Sequence, residues 1–222
     1  MITFPYPLTL VGGGALDRQM LVEAMALAPE LVAADGAADR LADWELLPQA
    51  IIGDMDSIRD SSGWAARTRV LHLPEQDTTD FEKCLYATEA PFYVAAGFTG
   101  QRIDHTLAVF HAMLRHPDKR VILLGEAEAL AMVPPGVSFS VELEAGARVS
   151  LFPLLPVTGT LSEGLEWSIS GLEMAPGKAI GTSNNAVASR VAVRFESPGV
   201  LFLVERRFLG ALVSAISSAD SE

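Results

Sequence analysis

The chain has 222 residues, half of them hydrophobic and one fifth charged, with a formal net charge of −12. The apolar fraction excludes intrinsic disorder, and no run approaches the roughly 18–20 apolar residues of a membrane span. Phosphate contacts need clustered Lys and Arg, so an acidic chain with 16 basic residues is a poor nucleic-acid binder. The first ten residues carry no basic leader, and the single cysteine, Cys84, has no internal disulfide partner. Both features lead us to expect a cytoplasmic protein with no signal peptide.

Residues 1–125 alternate short apolar runs with stretches of helical spacing. The runs Leu8–Gly12, Leu31–Ala34, Ala50–Gly53, Arg69–Leu73, Phe92–Gly97 and Arg120–Gly125 read as strands. Asp17–Ala28, Ala37–Trp44, Thr79–Glu89 and Ile103–Arg115 read as helices. Such alternation predicts an α/β domain with a mostly parallel sheet. From about residue 126 the texture changes to short alternating runs, Val137–Leu143, Ala147–Phe152, Val187–Phe195 and Val200–Val204, with many Gly and Ser. This predicts a small all-β domain over residues 126–222, an antiparallel sandwich or barrel, with the all-β sandwich as the expected form. Phe208–Ile216 closes it as a final helix or a packing segment.

Ten of the 12 aspartates lie between Asp17 and Asp104. Asp35, the pair Asp54 and Asp56, the pair Asp77 and Asp80, and Asp104 each follow a predicted strand. Ligands of open α/β sheets bind at the carboxyl ends of the strands, so these carboxylates are expected to share one rim. In an extended segment Asp54 and Asp56 point to the same side, where they repel unless a cation sits between them. Oxygen ligands of this kind suit Mg²⁺. The competing reading of Gly53–Ser57 is a plain turn, since Gly, Asp and Ser are common turn formers.

Thr79 and Glu82 fit a capping box, Thr79 at the N-cap and Glu82 reaching back to its N–H. Arg102 and Asp104 open a predicted helix after two glycines, where Arg102 is placed to hold a phosphate and His105 reads as structural. The turn Gly12–Gly14 lacks the dinucleotide fingerprint, and no P-loop motif occurs. Trp167 is open to two readings, core residue or exposed stacking surface.

Six segments in order resemble the thiamine pyrophosphokinase family: ADGAADRL (34–41), GDMDS (53–57), DTTDF (77–81), GQRIDH (100–105), GLEW (164–167) and GTSN (181–184). The resemblance implies an ATP-dependent pyrophosphoryl transfer to the hydroxyl of thiamine, giving thiamine diphosphate and AMP. It also implies a homodimer with active sites at the subunit interface, and Mg²⁺ as cofactor. By the same resemblance Asp54, Asp56 and Asp80 hold the metal, with Asp35 and Asp104 completing the catalytic set. Gly13, Gln76, Asp77, Thr79 and Arg102 shape the nucleotide site, while Trp167, Ser183 and Asn184 line a thiamine pocket. Ala37, Asp39 and Gln101 depart from the family pattern, and Asp39 adds negative charge near the site. The rival readings are a pyrophosphokinase for another alcohol, such as a hydroxymethyl-pterin, and a non-catalytic thiamine or nucleotide sensor.

Overall fold

A computed structural model describes residues 1–218, which fold as two compact units, one of residues 1–126 and one of the described residues from 127 onward. The first unit contains β1 (Ile2–Thr3), β2 (Leu8–Val11), α1 (Arg18–Leu27), β3 (Glu30–Ala34), α2 (Ala37–Asp43), β4 (Ala50–Gly53), α3 (Ser61–Ala65) and β5 (Arg69–His72). It continues with α4 (Asp80–Ala87), β6 (Thr88–Glu89), β7 (Tyr93–Ala96), α5 (Ile103–Arg115) and β8 (Val121–Leu124).

Six of these strands pair in parallel in the order β8-β7-β2-β3-β4-β5. Strands β2, β4, β7 and β8 are buried at every position, as expected of a parallel sheet covered on both faces. β5 ends the row, and its Arg69 and His72 are exposed. From β2 the chain runs outward through β3, β4 and β5, then returns to lay β7 on the other side of β2. The strand order therefore reverses between β2 and β7, the place where open α/β sheets form a ligand crevice.

The helices begin where local chemistry satisfies their free amides. Asp17 caps α1 by accepting from Met20 N at 2.7 Å, and the helix buries Met20, Leu21 and Ala24. Thr79 caps α4 by accepting from Glu82 N at 3.4 Å. The reciprocal half of the expected capping box is absent: the Glu82 carboxylate takes Arg115 at 2.7 Å and His116 at 3.3 Å, tying α4 to the end of α5. A buried carboxylate is better served by a guanidinium than by one amide at the helix start.

α4 stops at Ala87, two residues short of the spacing-based expectation, because Thr88 and Glu89 turn extended and pair with Ile2 and Thr3. That short pair and α3 are too brief for any periodicity to reveal.

The second unit contains β9 (Glu128–Met132), β10 (Phe139–Glu142), β11 (Arg148–Pro153), β12 (Val157–Glu163), β13 (Glu173–Met174), β14 (Gly181–Asn185), β15 (Arg190–Phe195), β16 (Val200–Glu205) and α6 (Leu209–Ser218). Two antiparallel four-stranded layers form, β14-β11-β16-β9 and β10-β15-β12-β13. Phe139 of one layer meets Phe202 of the other edge-on at 5.4 Å. The tail thus resolves as a helix, α6, which packs on β9 and β10. Strands β9, β12, β13 and β14 lie outside the runs read from sequence. β14 is Gly-Thr-Ser-Asn-Asn, a composition that gives no strand signal.

Candidate active site

A cleft of about 560 Å³ opens in the first unit at the carboxyl ends of its parallel strands. Gly12–Gly14 follow β2, Asp35 and Gly36 follow β3, Asp54 and Ser57 follow β4, Gln76 and Thr79 follow β5, and Gly97 and Phe98 follow β7; all line it. Gly12 and Gly97 face each other across the strand-order reversal. A Cβ on Gly12 would lie 2.5 Å from Gly97 O, so only glycine allows the two strand ends to close to this distance.

Asp35, Asp54 and Asp56 each contribute a carboxylate oxygen to a group whose atoms all lie within 4.8 Å of one another. The segment is a turn rather than extended, with Met55 at φ +64°, and the turn itself brings both carboxylates to the group. The backbone is thus the turn of the competing reading, and that turn leaves the two carboxylates close together. Asp35 sits at φ +43° and is 2% exposed; Oδ2 accepts from Ser57 N at 3.1 Å, while Oδ1 is buried with no hydrogen-bond partner. A strained backbone and an orphaned buried oxygen are costly unless something else meets them.

Asp80 opens α4 nearby and is not part of that group. Its Oδ1 lies 3.3 Å from Lys83 Nζ, which also lies 3.4 Å from Asp54 Oδ2. The backbone of β4 passes close to both acids: a Cβ on Gly53 would lie 2.7 Å from Asp35 Cβ and 3.1 Å from Asp80 Oδ1.

The carboxylates differ in acidity for different reasons. Burial raises the pKa of Asp35, reinforced by the negative charges of Asp80 and Asp54 and opposed by Ser57. Burial also raises Asp80, against the pull of Lys83. The Gln76 amide, 2.7 Å from Asp54 Oδ2, holds Asp54 below the ordinary carboxylate range, helped by Asp56 N and Lys83.

The remaining expected residues divide by position. Gly13, Gln76, Thr79 and Arg102 line the cleft, while Asp56, Asp77 and Asp104 are exposed and lie outside its lining. Arg102 grips Asp104 through two hydrogen bonds, 2.6 and 3.2 Å, with both side chains about two-thirds exposed. His105 is exposed and lines the cleft rather than packing in the core. Asp39 pairs with the Arg59 guanidinium at 3.2 Å, accepts from Arg59 N at 2.8 Å and Trp64 Nε1 at 3.2 Å, and does not line the cleft.

Two lining residues were not among the expected site residues: Arg40, within the ADGAADRL segment, and Lys83, outside all six family-like segments. Arg40 donates to Gly14 O at 2.9 Å and Gly13 O at 3.2 Å, fixing the glycine turn from α2. The signal for Lys83 was its i+3 spacing from Asp80 and its rarity, one of three lysines in the chain.

In the second unit Trp167, Ser183 and Asn184 form a separate group. Asn184 is buried and brackets the Trp167 backbone, accepting from Trp167 N at 3.1 Å and donating to Trp167 O at 2.7 Å. The indole is held by its backbone yet remains 56% exposed. Ser183, the residue before Asn184, lies in the left-handed region, φ +61°, and its N–H donates to Ser150 Oγ at 3.0 Å.

Among the residues that could hold a divalent cation, Asp35, Asp54 and Asp56 fit best: the donors are all carboxylate oxygen, and one is buried without a partner. Among the described residues no helix is long and apolar enough to cross a membrane.

The family profile for the thiamin pyrophosphokinase catalytic domain matches residues 22–123, and that for the vitamin B1 binding domain matches residues 137–200. Thiamin pyrophosphokinase 1 of Caenorhabditis elegans is 30% identical over 194 residues, 78% of each chain. Thiamine pyrophosphokinase 1 of Arabidopsis thaliana is 30% identical over 167 residues, 68% of this chain. The chain spans 62% of that plant protein's length, and the same share of its Arabidopsis paralogue, thiamine pyrophosphokinase 2. The solved structure of thiamin pyrophosphokinase from Candida albicans superposes with a TM-score of 0.76 at 13% identity, covering 90% of this chain and 89% of that one, a likeness of fold. With both profiles matched in order and a 30% identical relative aligned over more than two thirds of its length, the chain belongs to the thiamine pyrophosphokinase family.

Proposed function

We propose that this protein transfers the β,γ-pyrophosphoryl group of ATP to the hydroxyl of thiamine, releasing AMP and thiamine diphosphate. The observation that carries the reading is the carboxylate group at the carboxyl ends of β3 and β4, with Asp35 Oδ1 buried and unpartnered. Asp35, Asp54 and Asp56 would hold Mg²⁺, with Asp80 beside them. When bound, the ion neutralises phosphate charge in a protein whose own net charge is −12.

In the transfer the thiamine oxygen forms a bond to the β-phosphorus, and the bond from that phosphorus to the α,β-bridging oxygen breaks, leaving with AMP. The hydroxyl proton passes to a carboxylate of the rim or to water. Such a transfer rests on positioning and charge stabilisation, which a fixed set of acids and one guanidinium supply. Arg102 is placed to meet phosphate oxygens, since a guanidinium binds them in bidentate fashion, and Asp104 holds its plane. Gly13, Gln76, Asp77 and Thr79 shape the triphosphate loop. In the second unit Trp167 offers an exposed indole to stack on the aminopyrimidine, with Ser183 and Asn184 at its edge. The working form is a cytoplasmic homodimer with its active sites at the subunit interface.

Incubating the purified protein with MgATP tests this directly. AMP and thiamine diphosphate should appear in equal amounts, only with thiamine present, and EDTA should stop the reaction. Formation of ADP, or AMP release independent of thiamine, would overturn the reading.

A further inference from the structure

Lys83 is nearly inaccessible, with 2% of its side chain exposed, yet its ammonium reaches the wall of the cleft. It stands in the first turn of α4, where the helix dipole disfavours a cation, and burial adds a desolvation cost. Three carboxylates offset these costs. Asp80 Oδ1 lies at 3.3 Å, Asp54 Oδ2 at 3.4 Å and Glu75 Oε2 at 4.0 Å.

Asp54 belongs to two groups at once, the lysine's partners and the set with Asp35 and Asp56 that fits a divalent cation. An ammonium and a divalent cation so placed oppose each other across one carboxylate, and at such distances their repulsion is strong. A cation already bound to a triphosphate is different. The complex is net negative, and Lys83 then attracts what it would otherwise repel.

We propose that Lys83 is the resident counter-ion of the cleft, which holds Asp54 and Asp80 in the empty protein and makes divalent-cation binding depend on the nucleotide. The metal thus enters as a metal–nucleotide complex rather than ahead of it. This positioning role rests on the proposed pyrophosphokinase reading, but its test needs no turnover.

The experiment is a titration of the nucleotide-free protein with Mn²⁺, followed by the loss of the free-ion electron paramagnetic resonance signal. The wild type should bind weakly. K83M removes the charge at similar length and should bind Mn²⁺ about tenfold or more tightly. K83R, which keeps the charge, should stay near wild type. Mn²⁺ should also raise the thermal midpoint of K83M more than that of the wild type. Equal or weaker Mn²⁺ binding by K83M would overturn the proposal. Wild-type protein that saturates at micromolar Mn²⁺ without nucleotide would overturn it as well, and that arm stands even if K83M does not fold. Thiamine-dependent AMP formation by the wild type reports separately on the reaction.

Discussion

Asp35 concentrates the cost of the site in one side chain: a left-handed backbone, full burial and one oxygen without a partner. Its pKa is raised above the ordinary 3.8, so the folded protein holds this proton more tightly than the unfolded chain. The stabilising share from Asp35 is therefore full below pH 3.8 and is lost as pH rises through the raised value. At neutral pH the ionised carboxylate is a liability that a bound cation relieves. D35N should raise the thermal midpoint of the metal-free protein at neutral pH, with the gain vanishing below pH 3.8, where wild-type Asp35 is itself protonated. The same variant should lose about 100-fold or more in activity and give no Mg²⁺-induced stabilisation. Thermal melts across pH, with and without Mg²⁺, check both halves. Gly53 supports the same acids by lacking a side chain. G53A would force its Cβ against Asp35 Cβ and should cost about 1–3 kcal/mol in urea unfolding, with a loss of turnover greater than the loss of folded protein.

At the scale of elements, α4 matters most, because its first turn carries both Asp80 and Lys83. Thr79 is its cap, so T79A should destabilise the protein by about 1 kcal/mol at unchanged dependence on urea. A displaced first turn should also raise the KM for MgATP. A loss of stability with KM unchanged would show that the cap serves the fold alone. The start of this helix was legible from Thr79 and Glu82, but the partner of Glu82 was not, since Arg115 and His116 lie more than thirty positions away in sequence. The parallel strands were equally legible, because burial on both faces leaves continuous apolar runs. β9, β12 and β14 were not. β9 is built of residues that favour helix, β12 and β14 are polar or mixed at many positions, and all three become strands because neighbours in an antiparallel layer supply the hydrogen bonds.

Over the whole molecule the two units carry different groups. The α/β unit gathers charge at the carboxyl ends of its strands, and the β unit presents an aromatic platform anchored by Asn184. The rim was visible in sequence because strand ends and aspartates coincide; the sorting of those acids was not. Which oxygens meet Lys83 and which meet each other depends on one turn at Met55 and on a lysine three residues along a helix. Trp167 was ambiguous until its exposure was known. Because the indole is 56% exposed, W167A should change stability by no more than about 0.5 kcal/mol. It should raise the KM for thiamine and leave that for MgATP unchanged, as steady-state kinetics with each substrate varied will show.

In the proposed reaction the carboxylate rim directs attack at the β-phosphorus of ATP. A single-turnover reaction with ATP radiolabelled at that phosphorus tests it most directly. The label should leave entirely in thiamine diphosphate, with unlabelled AMP, and D54N should show no transfer. Label recovered in ADP would place the attack at the γ-phosphorus and overturn the proposed reaction.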